Sequence, residues 1–168
     1  MSNDLDIFEL TDRARRAQRA LATSTTAQRN GILLAISRAL VDHCEQILHA
    51  NAQDCQRAEE RGMAAGLVDR LRLDESRIRA ISSAVLDVIA LEDPVGTVIR
   101  GGRTDDGLRV TQLRVPMGVI GMIYEARPNV TVDASILCLK AGNAVILRGG
   151  SAAQNTNETL VAVIRAAI

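Results

Sequence analysis

Net charge is the first thing this sequence lacks. Its 20 basic and 20 acidic residues cancel, so it has no electrostatic footprint of the kind that nucleic acid or an anionic membrane surface selects. Lysine is almost missing: Lys140 is the only one, and arginine carries the remaining positive charge, fixed at any working pH. No apolar run approaches membrane-spanning length. The opening Met-Ser-Asn-Asp-Leu-Asp is acidic and no apolar signal-type stretch follows it, so secretion is not expected. Cys44, Cys55 and Cys138 are widely spaced and odd in number, which reads as reduced thiols in a cytoplasmic protein. His43 and His49 lie near two of them in sequence, but on a helix their spacing turns the imidazoles apart, and no metal site is expected.

What is present is ordinary for a folded domain: 47% hydrophobic and 24% charged residues in a chain of 168, enough for one core but short for a two-domain enzyme. The first ninety or so residues read as helices. Leu5 to Leu21 is polar and arginine-rich. The Ser-Thr-Thr cluster at 24–26 supplies capping chemistry for one long helix from about Ala27 to about Ala58. Leu33, Ile36, Leu40, Cys44, Leu48, Asn51 and Cys55 would line its buried face. Gly62 and Gly66 punctuate a connection, and Asp74 heads another helix whose stripe is Ile78, Ile81, Val85 and Val88.

After Asp93-Pro94 the pattern becomes β-prone. Val95 to Ile99 and Leu108 to Val115 predict a two-stranded arm, with the intervening Gly-Gly and Asp-Asp-Gly clusters in the turn. From Gly118 to Tyr124 the run is short and apolar, as in a strand covered on both faces. A loop at 125–129, a helix from about Val130 to Ala141 ended by Gly142, a second strand at Ala144 to Leu147 and a loop at 148–151 follow. Asn155, with Glu158 as its capping-box partner, would start a last helix carrying Leu160, Val163, Ile164 and Ile168 inward. This β-α-β-α order predicts parallel strands, and two parallel strands alone make an incomplete sheet.

Ligands of open α/β sheets sit beyond the carboxyl ends of the strands. Loops 125–129 and 148–151 occupy that position, with Arg127 and Arg148 as charges and Gly149-Gly150 permitting close backbone approach. These loops carry a specific likeness. Val115-Pro-Met-Gly-Val-Ile-Gly-Met-Ile-Tyr-Glu-Ala-Arg-Pro-Asn-Val-Thr-Val-Asp133 and Cys138-Leu-Lys-Ala-Gly-Asn-Ala-Val-Ile-Leu-Arg-Gly-Gly-Ser151 resemble the signature stretches of the γ-glutamyl phosphate reductases (glutamate-5-semialdehyde dehydrogenases), within the aldehyde dehydrogenase superfamily. Asp69-Arg-Leu-Arg-Leu-Asp74 and Asp93-Pro-Val-Gly96 match as well, so the resemblance covers nearly the whole chain.

The resemblance implies an α/β fold: N-terminal helices at 1–94, a β-arm for homo-oligomerisation at 95–115, and the first βαβα of a Rossmann-like NADP-binding domain at 116–168. The catalytic domain would be absent. It also implies a reaction of proline biosynthesis, in which a cysteine thiolate attacks γ-glutamyl phosphate, phosphate leaves, and NADPH reduces the thioester to glutamate 5-semialdehyde. Asn129 matches the asparagine that steadies the oxyanion, and equally it suits capping of the following helix. Glu125, Ala126 and Arg127 would line the cofactor, or Arg127 would pair with Glu125 or Asp133. Arg148, Gly149, Gly150 and Ser151 would meet the adenosine ribose and its 2′-phosphate, or Arg148 would pair with a carboxylate and Ser151 begin the next turn. No cysteine here stands in the catalytic context, so the chain reads as the N-terminal part of such an enzyme, inactive alone. A naturally truncated assembly module and a semialdehyde dehydrogenase of other specificity are the alternatives.

Overall fold

A computed structural model describes residues 6–125 and 127–168; Leu5 and Ala126 lie outside the described residues. Helix α1 (Ile7–Ala22) begins where the Asp6 carboxylate accepts the Phe8 N–H at 2.9 Å. Helix α2 (Thr26–Asp42) begins with a reciprocal cap. The Thr25 hydroxyl accepts the Gln28 N–H at 3.2 Å, and the Gln28 amide oxygen accepts the Thr25 N–H at 2.8 Å.

The single helix expected from Ala27 to Ala58 is two helices. His43 departs to φ −103° and ψ 20°, its ring Nδ1 lies 3.0 Å from the Ala39 carbonyl, and α3 (Cys44–Glu60) starts after it. The break shifts the buried face. Leu33, Ile36, Leu40, Asn51 and Cys55 are buried as expected, but beyond His43 Ile47, Ala50 and Asp54 also turn inward, leaving Cys44 and Leu48 half-covered. Helix α3 ends at Gly62, φ +71°, where the Met63 N–H reaches the Ala58 carbonyl and the Gly62 N–H the Glu59 carbonyl. Gly66, expected in the connection, instead lies inside a short helix α4 (Ala65–Leu71) that buries Val68 and Leu71. Asp74 heads α5 (Glu75–Ala90), accepting the Arg77 N–H at 2.8 Å. Ile78, Ile81 and Val85 are buried along it, with Val88 packed at their edge.

Strands β1 (Val98–Arg103) and β2 (Arg109–Leu113) form an antiparallel hairpin. Gly101 and Gly102, expected in the turn, belong to β1; the reversal is made by Thr104 to Leu108, with Gly107 at φ +90°. Every residue of both strands is exposed, so neither face packs on the rest of the chain.

Strand β3 (Val119–Ile123) pairs in parallel with β4 (Ala144–Arg148), from Val119 opposite Ala144 to Ile123 opposite Arg148. Helix α6 (Pro128–Lys140) joins them, and α7 (Gln154–Ala166) follows a 3₁₀ turn, Ser151–Ala153. β3 is not covered on both faces as expected: α1 and α6 pack mainly on β4, and Gly121 to Ile123 remain exposed. Between α6 and β4 the chain turns at Gly142, φ +73°, where a Cβ would come within 2.9 Å of Pro116 Cγ. Asn143 then accepts the Gly118 N–H on its side-chain oxygen at 2.9 Å.

One core joins α2, α3, α5, α6 and α7 through Leu33, Ile36, Leu40, Ile47, Ile78, Val85, Val132, Ile136 and Leu160, all at 1% exposure or less. Each such side chain stabilises the fold by roughly 2 kcal/mol relative to exposure. Ile168, expected in this core, is exposed. Lys140 crosses under α6 to donate to the Asn30 side chain at 2.9 Å and the Ile89 carbonyl at 3.0 Å, so the single lysine is buried.

Candidate cofactor-binding site

Because Ile123 stands opposite Arg148, the chains leaving β3 and β4 start side by side. The Tyr124 N–H extends the ladder by one bond, donating to the Arg148 carbonyl at 3.1 Å. Both predicted loops therefore lie at one edge of the sheet. Glu125, Arg127, Arg148 and Ser151 are exposed there, while Asn129, Gly149 and Gly150 are half-buried. Ala126 belongs to the same stretch but lies outside the described residues.

Asn129 is not the cap of its helix. The helix begins at Pro128, whose missing N–H costs nothing in the first turn. Arg127 holds the capping position, without a side-chain cap bond, and Asn129 falls inside the first turn. The Asn129 amide donates to Asp133 Oδ2 at 3.2 Å, one turn along. Burial raises the Asp133 carboxyl above its ordinary range, and the Asn129 amide offsets part of that rise. Among the described residues Arg127 pairs with neither Glu125 nor Asp133. Arg148 likewise finds no carboxylate there; its guanidinium donates to the neighbouring Gly149 carbonyl at 2.9 Å.

The start of α7 differs from expectation. Asn155 does not cap it, and Glu158 accepts from the Gln154 amide instead, at 3.0 Å. The cap comes from far away in sequence. Asp54 of α3, fully buried, accepts the Thr156 N–H at 2.8 Å, the Thr156 hydroxyl at 2.7 Å and the Asn155 N–H at 3.3 Å. Arg57 adds a donor at 2.6 Å. The positive end of α7 thus already holds an anion.

Sequence reasoning also missed the residues that locate the second loop. The Tyr124 hydroxyl is 2.6 Å from Thr131 Oγ1, and the Thr131 hydroxyl donates to Asn157 Oδ1 at 2.8 Å. A Cβ on Gly149 would lie 2.3 Å from Asn157 Nδ2 and 3.1 Å from the Tyr124 hydroxyl. Gly149 is required by this close packing, at a backbone angle outside the left-handed region. Tyr124 and Thr131 stood in the recognisable stretch; Asn157 and Asp54 had no local signal. The three cysteines are elsewhere: Cys55 and Cys138 are buried, Cys44 is half-buried, and burial raises all three thiols.

Residues 2–168 match the sequence model of the aldehyde dehydrogenase family. The chain is 55% identical to gamma-glutamyl phosphate reductase of Bifidobacterium longum subsp. infantis, over 98% of its own length and 39% of that protein. Against the enzyme of the same name from Bifidobacterium adolescentis the identity is 51%, over 95% and 38%. The crystal structure of gamma-glutamyl phosphate reductase from Thermotoga maritima superposes with a TM-score of 0.93 at 46% identity, covering 95% of this chain and 39% of that one. The Saccharomyces cerevisiae structure gives 0.90 at 35% identity, covering 95% and 41%. The chain spans about two fifths of the length of these relatives. No described helix is long and apolar enough to cross a membrane. A family match along almost every residue and a shared backbone lead to one placement: the chain belongs to the aldehyde dehydrogenase family.

Proposed function

We propose that this chain is the N-terminal, nucleotide-binding part of a cytoplasmic, NADPH-dependent reductase that converts γ-glutamyl phosphate to glutamate 5-semialdehyde in proline biosynthesis. The observation that carries the reading is identity of about half the residues, along the whole chain, to proteins of that name. The parts divide as helices at 1–94, a β-arm at 95–115 and the βαβα unit at 116–168. The hairpin, exposed on both faces and carrying Val98, Ile99, Val110 and Leu113, suits pairing with another copy.

The residues at the sheet edge fit a phosphorylated dinucleotide. Arg148 and Arg127 are exposed cations without a carboxylate partner among the described residues, and Ser151 offers a neutral donor where an acid would repel phosphate. Arg148, Gly149, Gly150 and Ser151 would hold the 2′-phosphate end, with Glu125, Ala126 and Arg127 beside it. NADPH supplies hydride when bound. Asn129 donates its amide to the substrate carbonyl oxygen as negative charge builds there. The nucleophilic cysteine lies outside this chain, whose own thiols, two buried and one half-buried, are all raised by burial and unsuited to attack.

The test is isothermal titration of NADPH and NADH into the full-length protein and its Arg148→Ala/Ser151→Glu variant. NADPH binding should weaken about tenfold more than NADH binding, the loss expected for one charge-assisted contact. Equal losses, or none, would show that this loop does not read the 2′-phosphate. The chain by itself should show no turnover with glutamate semialdehyde, phosphate and NADP⁺; turnover would overturn the assignment of the nucleophile.

A further inference from the structure

We propose that Tyr124, Thr131 and Asn157 form an interlock that sets the Arg148–Ser151 loop against the helix carrying Asn129, so that nucleotide affinity depends on three side chains rooted outside that loop. The proposal rests on the reading of this loop as the NADP-contacting segment.

The three residues come from three elements. Tyr124 follows β3, Thr131 lies in the first turn of α6, and Asn157 lies in the first turn of α7. Thr131 is fully buried, and its hydroxyl proton is committed to Asn157 Oδ1 at 2.8 Å. A hydroxyl carries one proton, so in the 2.6 Å contact with Thr131 Oγ1 the Tyr124 hydroxyl is the donor. The chain of donation therefore runs from Tyr124 through Thr131 to Asn157. That polarity turns the Asn157 amide nitrogen toward Gly149, where it would stand 2.3 Å from any Cβ.

Gly149 is thus seated between Asn157 and Tyr124, while the Tyr124 N–H holds the Arg148 carbonyl at 3.1 Å. The loop takes its position from these contacts. Its outward groups, Arg148 and Ser151, inherit that position, and so does their spacing from Asn129, two residues before Thr131 on the same helix. Tyr124, Thr131 and Asn157 are positioning residues: they act on the ligand through Gly149 and its neighbours.

The experiment compares full-length protein with Tyr124→Phe and Thr131→Val, which delete hydroxyls and keep shape, and with Thr131→Ser, which restores the hydroxyl. Amide hydrogen exchange at 149–151 in nucleotide-free protein should rise about fivefold or more in the first two, and the NADPH Kd should weaken about fivefold, the loss typical of one buried hydrogen bond. In steady-state kinetics the loss should fall more on the KM for NADPH than on kcat, because the deleted hydroxyls act on the nucleotide loop and touch no reacting atom. Thr131→Ser should behave as wild type. Tyr124→Phe combined with Asn157→Ala should weaken binding by less than the product of the single effects, as members of one network do. Unchanged exchange and affinity in Tyr124→Phe and Thr131→Val, or effects that multiply, overturn the interlock. Arg148→Ala separates the two layers. If it weakens NADPH binding while the hydroxyl deletions change nothing, the interlock alone falls. If exchange rises but neither Arg148→Ala nor the deletions alter NADPH affinity, the cofactor reading fails and takes the proposal with it.

Discussion

Helices α6 and α7 leave the ends of neighbouring parallel strands, yet their N-termini are in opposite condition. That of α7 is closed by a fully buried carboxylate from α3, which takes two backbone N–H groups and a hydroxyl. That of α6 has no side-chain cap; a proline fills its first position and Asn129 stands in its first turn. The general rule that helix ends at this edge attract anions therefore applies unequally. A helix end whose dipole is already answered has less to offer a further anion than one without a side-chain cap.

The largest expected effect falls on the closed end. Asp54→Ala should lower unfolding stability by about 3 kcal/mol in urea titration, because two N–H groups and Arg57 lose a buried anionic partner. A loss well under about 1 kcal/mol would mean that α7 does not depend on the cap. At the open end, Asn129→Ala in the full-length protein should cut turnover about a hundredfold and leave stability and NADPH affinity nearly intact. The reverse pattern would assign Asn129 to structure through its bond to Asp133. An exposed cap gives the reference value: Thr25→Ala at the start of α2 should cost about 1 kcal/mol by thermal melting, less than the buried cap.

The smallest effect is in acid. Burial pushes the Asp93 carboxyl up, but bonds from the Thr26 hydroxyl and the Val95 N–H, with Arg29 beside it, hold it below its ordinary 3.8. A depressed carboxyl stabilises the fold above its unfolded value and loses that contribution as pH falls through the folded one. The stability gap between wild type and Asp93→Asn should therefore be full at about pH 5 and narrow progressively below 3.8. A gap that widens in acid would show that the ion pair is not its source.

The same contrast explains what the sequence revealed. Local chemistry was legible: the Asp74 cap, the Ile78-Ile81-Val85 stripe, the Gly142 stop and the parallel pair all stood where their residues placed them. The break at His43 was not, because the apolar spacing runs across it and the side chain that marks it has no strong preference either way. The cap of α7 was misread for a different reason. Asn155 and Glu158 satisfy a local capping pattern, but a carboxylate 101 residues away reached those amides with a buried, better-anchored bond. For the proposed site, sequence singled out Arg127, Arg148 and Ser151, which are exposed, and Asn129, which is half-buried. The residues packed behind them, Asn157 above all, had no local signal, because their contacts with Thr131 and Gly149 exist only after folding.

The corner at Gly142 acts as a registration mark for this edge. A substitution there meets both a left-handed backbone and Pro116, and Asn143 immediately clasps the Gly118 N–H across the strand pair. Those two contacts fix which residue of β4 faces which residue of β3 before either loop is reached. A single inserted or deleted residue between Gly142 and Arg148 would leave the clasp in place and carry the error forward. Side chains of β4 would exchange sides of the sheet, and Gly149 would arrive one position early or late beside Tyr124. Over this short span the residue count itself sets how the two loops meet.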